Sequence, residues 1–275
     1  MHALKSAAIE KVFGMKIEKS EQQVFKEYSD YARKLAPFVA DTSSTIESAL
    51  SSKKKILLEG AQATMLDIDH GMYPFGTSSN TTAGGACTGS GIGPTAIDEV
   101  VGVVKCYTSR VGSGPLPTEL FDKTGDAIRE KGGEYGTTTG RPRRIGWLDL
   151  CTLRYAALVN GLTGLAFTRL DTLSGVSKVK ICTHYELEGK KLSFPPASYK
   201  EIEKCKPVYK EFAGWPDVGE AGWAKTAKEG FKSLPKEAQT YLEFVSKETA
   251  VPIYAVGVGA GRESTIVLKD VFKRK

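Results

Sequence analysis

Apolar residues recur at Val24, Tyr28, Tyr31 and Leu35, the spacing that lines one side of a helix. Ser20 and Gln23 stand three apart just before them, a capping-box arrangement that marks a helix start. Residues 1–52 therefore read as a helical segment of the same domain as the remaining chain, scaffold rather than site. From Lys53 the texture changes, and short apolar runs alternate with helical ones. KILLEG (55–60) predicts a strand, TAIDEVVGVVKCY (95–107) a helix, WLDLCTLRYAALVNG (147–161) a helix stopped by Asn160-Gly161, and LAFTRLD (165–171) a strand. KVKICTHYELEGKKLSF (178–194) carries two alternating runs around Glu188-Gly189 and predicts a hairpin. LPKEAQTYLEFVSKET (234–249) predicts a late helix, with Pro235 near its first turn and Tyr241, Leu242 and Val245 on one side. PIYAVGVG (252–259) and STIVLKD (264–270) predict closing strands. The alternation implies an α/β fold: a mostly parallel central sheet with flanking helices, plus a C-terminal β-hairpin and a mixed α/β region.

Composition narrows the function classes. The 275 residues are 41% hydrophobic and 25% charged, enough for a substantial core in one large domain or two modest ones. Against 32 acidic residues, 38 basic ones give +6, a mild excess without aromatic residues interleaved among clustered Lys and Arg, so no nucleic-acid partner is expected. Five scattered cysteines (Cys87, Cys106, Cys151, Cys182, Cys205) form no C-x-x-C pair, and an odd count suits reduced core thiols in a cytoplasmic protein better than a secreted disulfide framework. No apolar run approaches the ~18 residues of a membrane span, and no signal-peptide core opens the chain, so no membrane partner is expected. Lys273-Arg274-Lys275 reads as a solvated tail.

Chemistry concentrates where the predicted elements end. LLEGAQATMLDIDHGMYPFGTSSNTTAGG (57–85) dissolves into Gly, Ser, Thr, Asn and Asp, a stretch whose ordering is costly unless something binds there. Singly, Asp67, Asp69 and Asn80 read as turn caps. TSRVGSGPLPTEL (108–120) couples an apparent strand to glycines and prolines. YGTTTGRPRRIGWLD (135–149) sets three threonines between Gly136 and Gly140, directly before Arg141, Arg143 and Arg144. Hydroxyls, freed N–H groups and guanidinium forks together suit an anion. In open α/β sheets such loops bind ligands beyond the carboxyl ends of the strands.

In order and spacing, EGAQATMLDIDHGMYPFGTSSNTTAGG (59–85), RVGSGPLPTEL (110–120), YGTTTGRPRRIGWLD (135–149) and TRLD (168–171) resemble the adenylosuccinate synthetase family from Lys53 to the C-terminus. The resemblance implies ligation of L-aspartate to inosine monophosphate (IMP) with GTP and Mg2+. The purine 6-oxygen would be phosphorylated, and the aspartate amine would then displace that phosphate. It further implies that Gln62, Thr77, the backbone at Val111 and Arg141 contact IMP. Thr137, Thr138, Thr139, Gly140, Arg141 and Arg143 would form the aspartate loop, with Arg143 also reaching GTP. Arg169, Leu170 and Asp171 would hold guanine, joined by Gly257, Val258 and Gly259. Two departures stand out: Arg169 replaces the family's usual lysine, and GVGAG (257–261) replaces a Ser-Thr-Gly-Pro-Asp pattern. A homodimer is implied for the whole enzyme.

No G-x-x-x-x-G-K-[ST] or related glycine-rich phosphate loop occurs in the sequence, and none of His2, His70 and His184 aligns with the family's acid histidine. The chain is thus expected to be the C-terminal portion of the enzyme. Catalytic base and acid, and most of the Mg2+ site, would lie outside it, leaving it inactive alone. The alternative is a non-catalytic nucleotide- or aspartate-binding module.

Overall fold

The computed structural model of the protein describes residues 1–137 and 140–273. Its helices are α1 (His2–Phe13), α2 (Glu21–Leu35), α3 (Thr42–Ser51), α4 (Ala83–Ser90), α5 (Lys123–Gly132), α6 (Leu150–Asn160), α7 (Tyr199–Ile202), α8 (Gly219–Glu229) and α9 (Lys236–Thr249). Its strands are β1 (Val101–Lys105), β2 (Thr108–Arg110), β3 (Arg144–Gly146), β4 (Leu148–Asp149), β5 (Gly164–Thr168), β6 (Lys178–Leu187), β7 (Lys190–Leu192), β8 (Lys206–Ala213), β9 (Ile253–Gly257) and β10 (Thr265–Val267).

Residues 1–54 form one compact unit and the chain from Lys55 onward another. In the first, the Ser20 hydroxyl accepts from Gln23 N at 3.3 Å and Gln23 Oε1 accepts from Ser20 N at 2.8 Å, the reciprocal cap expected for α2. Asp41 caps α3 through Ser44 N at 3.1 Å.

The second unit is built on a sheet ordered β1-β5-β9-β10, with β1, β5 and β9 parallel and β10 antiparallel. Leu165 and Phe167, two apart and so on one face of β5, are buried, while Ala166 and Thr168 on the other face are half-buried. One flank is α9, where Ala238, Tyr241, Leu242 and Val245 recur at helical spacing and are all fully buried. Burying each of the larger ones stabilises the fold by about 1.5–3 kcal/mol. The Tyr241 ring stands edge-on to Phe212 and Trp215, and its hydroxyl donates to Cys106 O at 2.7 Å, tying α9 to the end of β1. Helix α6 stops, as predicted, at Gly161 with φ 60°. A mixed sheet surrounds β6, antiparallel to β7 and β8 and parallel to β4. The β6–β7 turn is Glu188-Gly189, with φ of 50° and 77°, the left-handed pair a two-residue hairpin turn needs. All five cysteines are free thiols, and all but Cys87 are buried.

Two expected elements differ. Residues 95–107 are not a helix: a short 3₁₀ turn at Pro94–Ala96 leads into β1. Val100, Val101, Val103 and Val104 favour the pleated state, and Gly102 sits where a Cβ would lie 2.6 Å from Leu162 Cδ1. Residues 55–60 are not a strand. An apolar run becomes a strand only when a neighbour takes its hydrogen bonds, and among the described residues none does. Strand β8, the partner of β6 along nearly its whole length, had no counterpart in the sequence reading.

Candidate functional site

The parallel strands β1, β5 and β9 end side by side. Lys105 is paired with Thr168, Cys106 N donates to Thr168 O at 3.0 Å, and Leu170 N donates to Gly257 O at 3.3 Å. TRLD and GVG, far apart in sequence, thus form adjacent walls at the carboxyl ends of the sheet, the place where open α/β sheets bind ligands. Gly259 is required there, since a Cβ would lie 2.9 Å from Ser264, while Val258 is buried with its N–H on Ser264 O. Leu170 is also fully buried, and its carbonyl accepts from Trp215 Nε1 at 3.3 Å. Asp171 opens the adjoining 3₁₀ turn, and its Oδ1 is buried without a hydrogen-bond partner. Burial pushes its carboxyl pKa up, although Arg169 nearby pulls the other way. A carboxylate oxygen left in that state is an acceptor short of its donor.

The loop of residues 60–82 is organised from within by Asp67. Its buried carboxylate accepts from the backbone N–H of Asp69 (2.8 Å), His70 (3.0 Å), Thr81 (2.5 Å) and Thr82 (3.3 Å). Burial alone would raise its pKa, and these donors outweigh it and leave the pKa lowered. Asp69 accepts from Asn80 Nδ2 at 2.7 Å. All three residues are therefore turn-builders. Thr77 N donates to Leu66 O at 2.7 Å, and Gln62 is exposed with Oε1 3.3 Å from Ser79 Oγ. Gln62 and Arg169 both have left-handed backbone, φ 62° and 64°. Such strain in non-glycine residues gathers where side-chain direction matters.

Two arginines join this loop to the others. Strands β2 and β3 set Arg110 opposite Arg144. Arg110 donates to Ser113 O at 2.9 Å and to Phe75 O at 3.1 Å, so the loop holding Thr77 and the loop holding Val111 meet. Arg144 grips Glu119 with Nε (2.8 Å) and Nη2 and donates to Gly114 O at 2.7 Å. Arg144 is thus a bracket, whereas Arg141 is exposed. The turn between them and Tyr135 is closed by Gly136 N to Arg141 O and Gly140 N to Gly136 O, both 2.8 Å, with Gly140 at φ 63°. Thr137 is exposed on this turn, and Thr138 and Thr139 lie outside the described residues. Arg143 points inward, its Nη1 2.8 Å from Glu134 Oε2 and its Nε buried without a partner. The sequence reading missed Arg110, Glu119, Glu134 and Lys105. Their contacts Arg110–Phe75, Arg144–Glu119 and Lys105–Glu134 span 35, 25 and 29 residues of chain, and the only local signal was charge beside glycine-rich turns.

The family model described as adenylosuccinate synthetase matches residues 1–266. The chain belongs to this family. The match includes the N-terminal helices, which the motif resemblance from Lys53 did not reach. The adenylosuccinate synthetase of Caldicellulosiruptor bescii is 52% identical over 248 residues, covering 90% of this chain and 57% of that protein. That of Carboxydothermus hydrogenoformans is 49% identical over 269 residues, covering 98% and 61%. A fully ligated adenylosuccinate synthetase structure from Plasmodium falciparum superposes with a TM-score of 0.87 at 37% identity, covering 98% of this chain and 62% of that one. The chain thus spans about three fifths of the length of these synthetases.

Among the described residues, the one cluster of three metal-ligating side chains is Asp149, Cys151 and Cys182, buried, with ligand atoms within 4.8 Å of one another. Two thiols beside one carboxylate do not suit Mg2+, which takes oxygen ligands and keeps several waters. The donors described here do not fit that ion.

Proposed function

We propose that the chain carries the guanine, aspartate and IMP walls of an adenylosuccinate synthetase, the ligase that joins L-aspartate to IMP at the expense of GTP. The observation that carries this reading is the unpartnered Oδ1 of Asp171 at the ends of β5 and β9. A guanine base offers two N–H groups on one edge, and a buried carboxylate short of donors is its complement. Arg169 would lie along the base, with Leu170 and the Gly257–Gly259 turn closing the wall.

Residues 137–143 would receive the aspartate dicarboxylate, with Arg141 shared with the IMP ribose and Arg143 shared with the triphosphate. Gln62, Thr77 and the backbone at Val111 would face IMP, the loops holding Thr77 and Val111 being joined by Arg110. No step is assigned to Mg2+ on these residues. The 275 residues include no glycine-rich phosphate loop, so ligand binding without turnover is the expected behaviour of the chain alone.

Calorimetric titration of the chain with GTP, inosine triphosphate and xanthosine triphosphate tests the reading. GTP should bind best, and Asp171→Asn should weaken it about tenfold or more while improving xanthosine triphosphate, whose 2-oxo group accepts from the new amide. An unchanged order of the three nucleotides in Asp171→Asn would overturn the assignment.

A further inference from the structure

Glu134 is 1% exposed, yet its carboxylate is shared by three donors from two places in the chain. Oε1 accepts from Lys105 Nζ and from Tyr107 Oη, both at 2.6 Å, and Oε2 accepts from Arg143 Nη1 at 2.8 Å. The backbone joins in. Glu134 O accepts from Arg143 N at 2.8 Å, and Arg143 O accepts from Arg129 Nε at 2.8 Å. Arg143 is therefore pinned at its amide, its carbonyl and one end of its guanidinium.

The surroundings leave this cluster little room to shift. At Gly132, the last residue of α5, a Cβ would lie 2.6 Å from Tyr107 Oη, 3.1 Å from Glu134 Cγ and 3.2 Å from Thr172 Cγ2. The end of α5, the end of β1 and the turn carrying Asp171 and Thr172 are thus packed on one another around Glu134. Lys105 and Tyr107 alone would satisfy one carboxylate oxygen. The other is spent on Arg143, whose Nε stays buried and unpartnered. Glu134 faces two cations, Lys105 and Arg143, so one positive charge is left over, and the Arg143 side chain, pinned at Nη1, is still 28% exposed and keeps its outer edge for an anion.

We propose that Glu134 is a positioning residue: it fixes the Arg143 fork toward an anionic ligand and ties that fork, through Lys105 and Tyr107, to the turn that carries Asp171. Which anion arrives, a dicarboxylate or a triphosphate, rests on the proposed synthetase function. The geometry of Arg143 does not. Through this linkage, binding at the guanine wall and anion binding at Arg143 would not be independent.

The test uses the 275-residue chain with Glu134→Gln, which keeps the shape and removes the charge, and Arg143→Lys, which removes the fork. First, the Arg143 Nε–H signal is followed by ¹⁵N NMR without ligand and assigned by its loss in Arg143→Lys. It should exchange slowly with water in the wild type and much faster in Glu134→Gln. Second, GTP and L-aspartate are titrated. Glu134→Gln should weaken GTP about tenfold to a hundredfold, and the same change made on Arg143→Lys should have little further effect. Glu134→Asp, which keeps the charge but draws it back by one methylene, is the second variant should Glu134→Gln fail to fold, and is expected to act in the same direction. If the wild type binds neither ligand, the functional reading falls and the NMR arm still judges Glu134. An Arg143 Nε–H exchange rate that is the same in wild type and variant overturns the inference, as does a full GTP effect persisting on Arg143→Lys.

Discussion

Arg110 and Arg144 stand directly opposite each other on β2 and β3, and each guanidinium is turned to a different set of partners. Like charges facing across a strand pair are destabilising, and burial together with Arg144 lowers the pKa of Arg110. Glu119 offsets this by gripping Arg144, whose own pKa is raised. Glu119→Gln is therefore expected to cost about 1–3 kcal/mol in urea unfolding, and to speed amide exchange in residues 110–118 more than elsewhere. Unchanged stability and exchange would mean that the two loops are held together by other contacts.

Asp149 gives a pH dependence of unusual sign. It caps α6 through Cys151 N at 2.9 Å and accepts from Tyr185 Oη, yet full burial raises its pKa from an ordinary 3.8 to about 6. Between those values the folded chain keeps this proton and the unfolded chain releases it, so the contribution of Asp149 to stability falls as pH rises. Two pKa units correspond to about 3 kcal/mol. Other carboxylates, with lowered pKa values, slope the opposite way, so the check is the difference between wild type and Asp149→Asn, unfolded with denaturant at several pH values. That difference should shift in favour of the variant from pH 4 to pH 6.5; a flat difference would refute the assignment.

Gly164 begins β5 with a Cβ position only 2.2 Å from Tyr254 Cδ2, against the face of the ring. Gly164→Ala should destabilise by about 1–3 kcal/mol through overpacking, and Tyr254→Leu should recover part of the loss when the two are combined. Thermal melts of the two single variants and the double variant decide it, and additive losses would show that the ring is not the obstacle.

The elements that the sequence announced were those whose signal is local. α9 has its apolar stripe, the β6–β7 turn its Glu188-Gly189, and α2 its cap. Residues 95–107 misled because valines interrupted by glycine match several periods, and only the neighbouring β5 and Leu162 decide for a strand. The site was legible as three polar loops and a motif order. What joins those loops was not, because Arg110 meets Phe75, and Lys105 meets Glu134, across 35 and 29 residues of chain. Nothing local encodes such a pairing.

The left-handed backbone at Gln62 and Arg169 bears on how this sequence can drift. Each costs roughly 1 kcal/mol relative to glycine, so a population selected only for durability would replace both. Glycine, however, would offer no amide at the mouth of one loop and no guanidinium at the end of β5. Laboratory evolution toward heat resistance would therefore be drawn to two positions where the gain in robustness removes a side chain assigned to the proposed ligand walls, and sparing them is the sensible constraint on any such library.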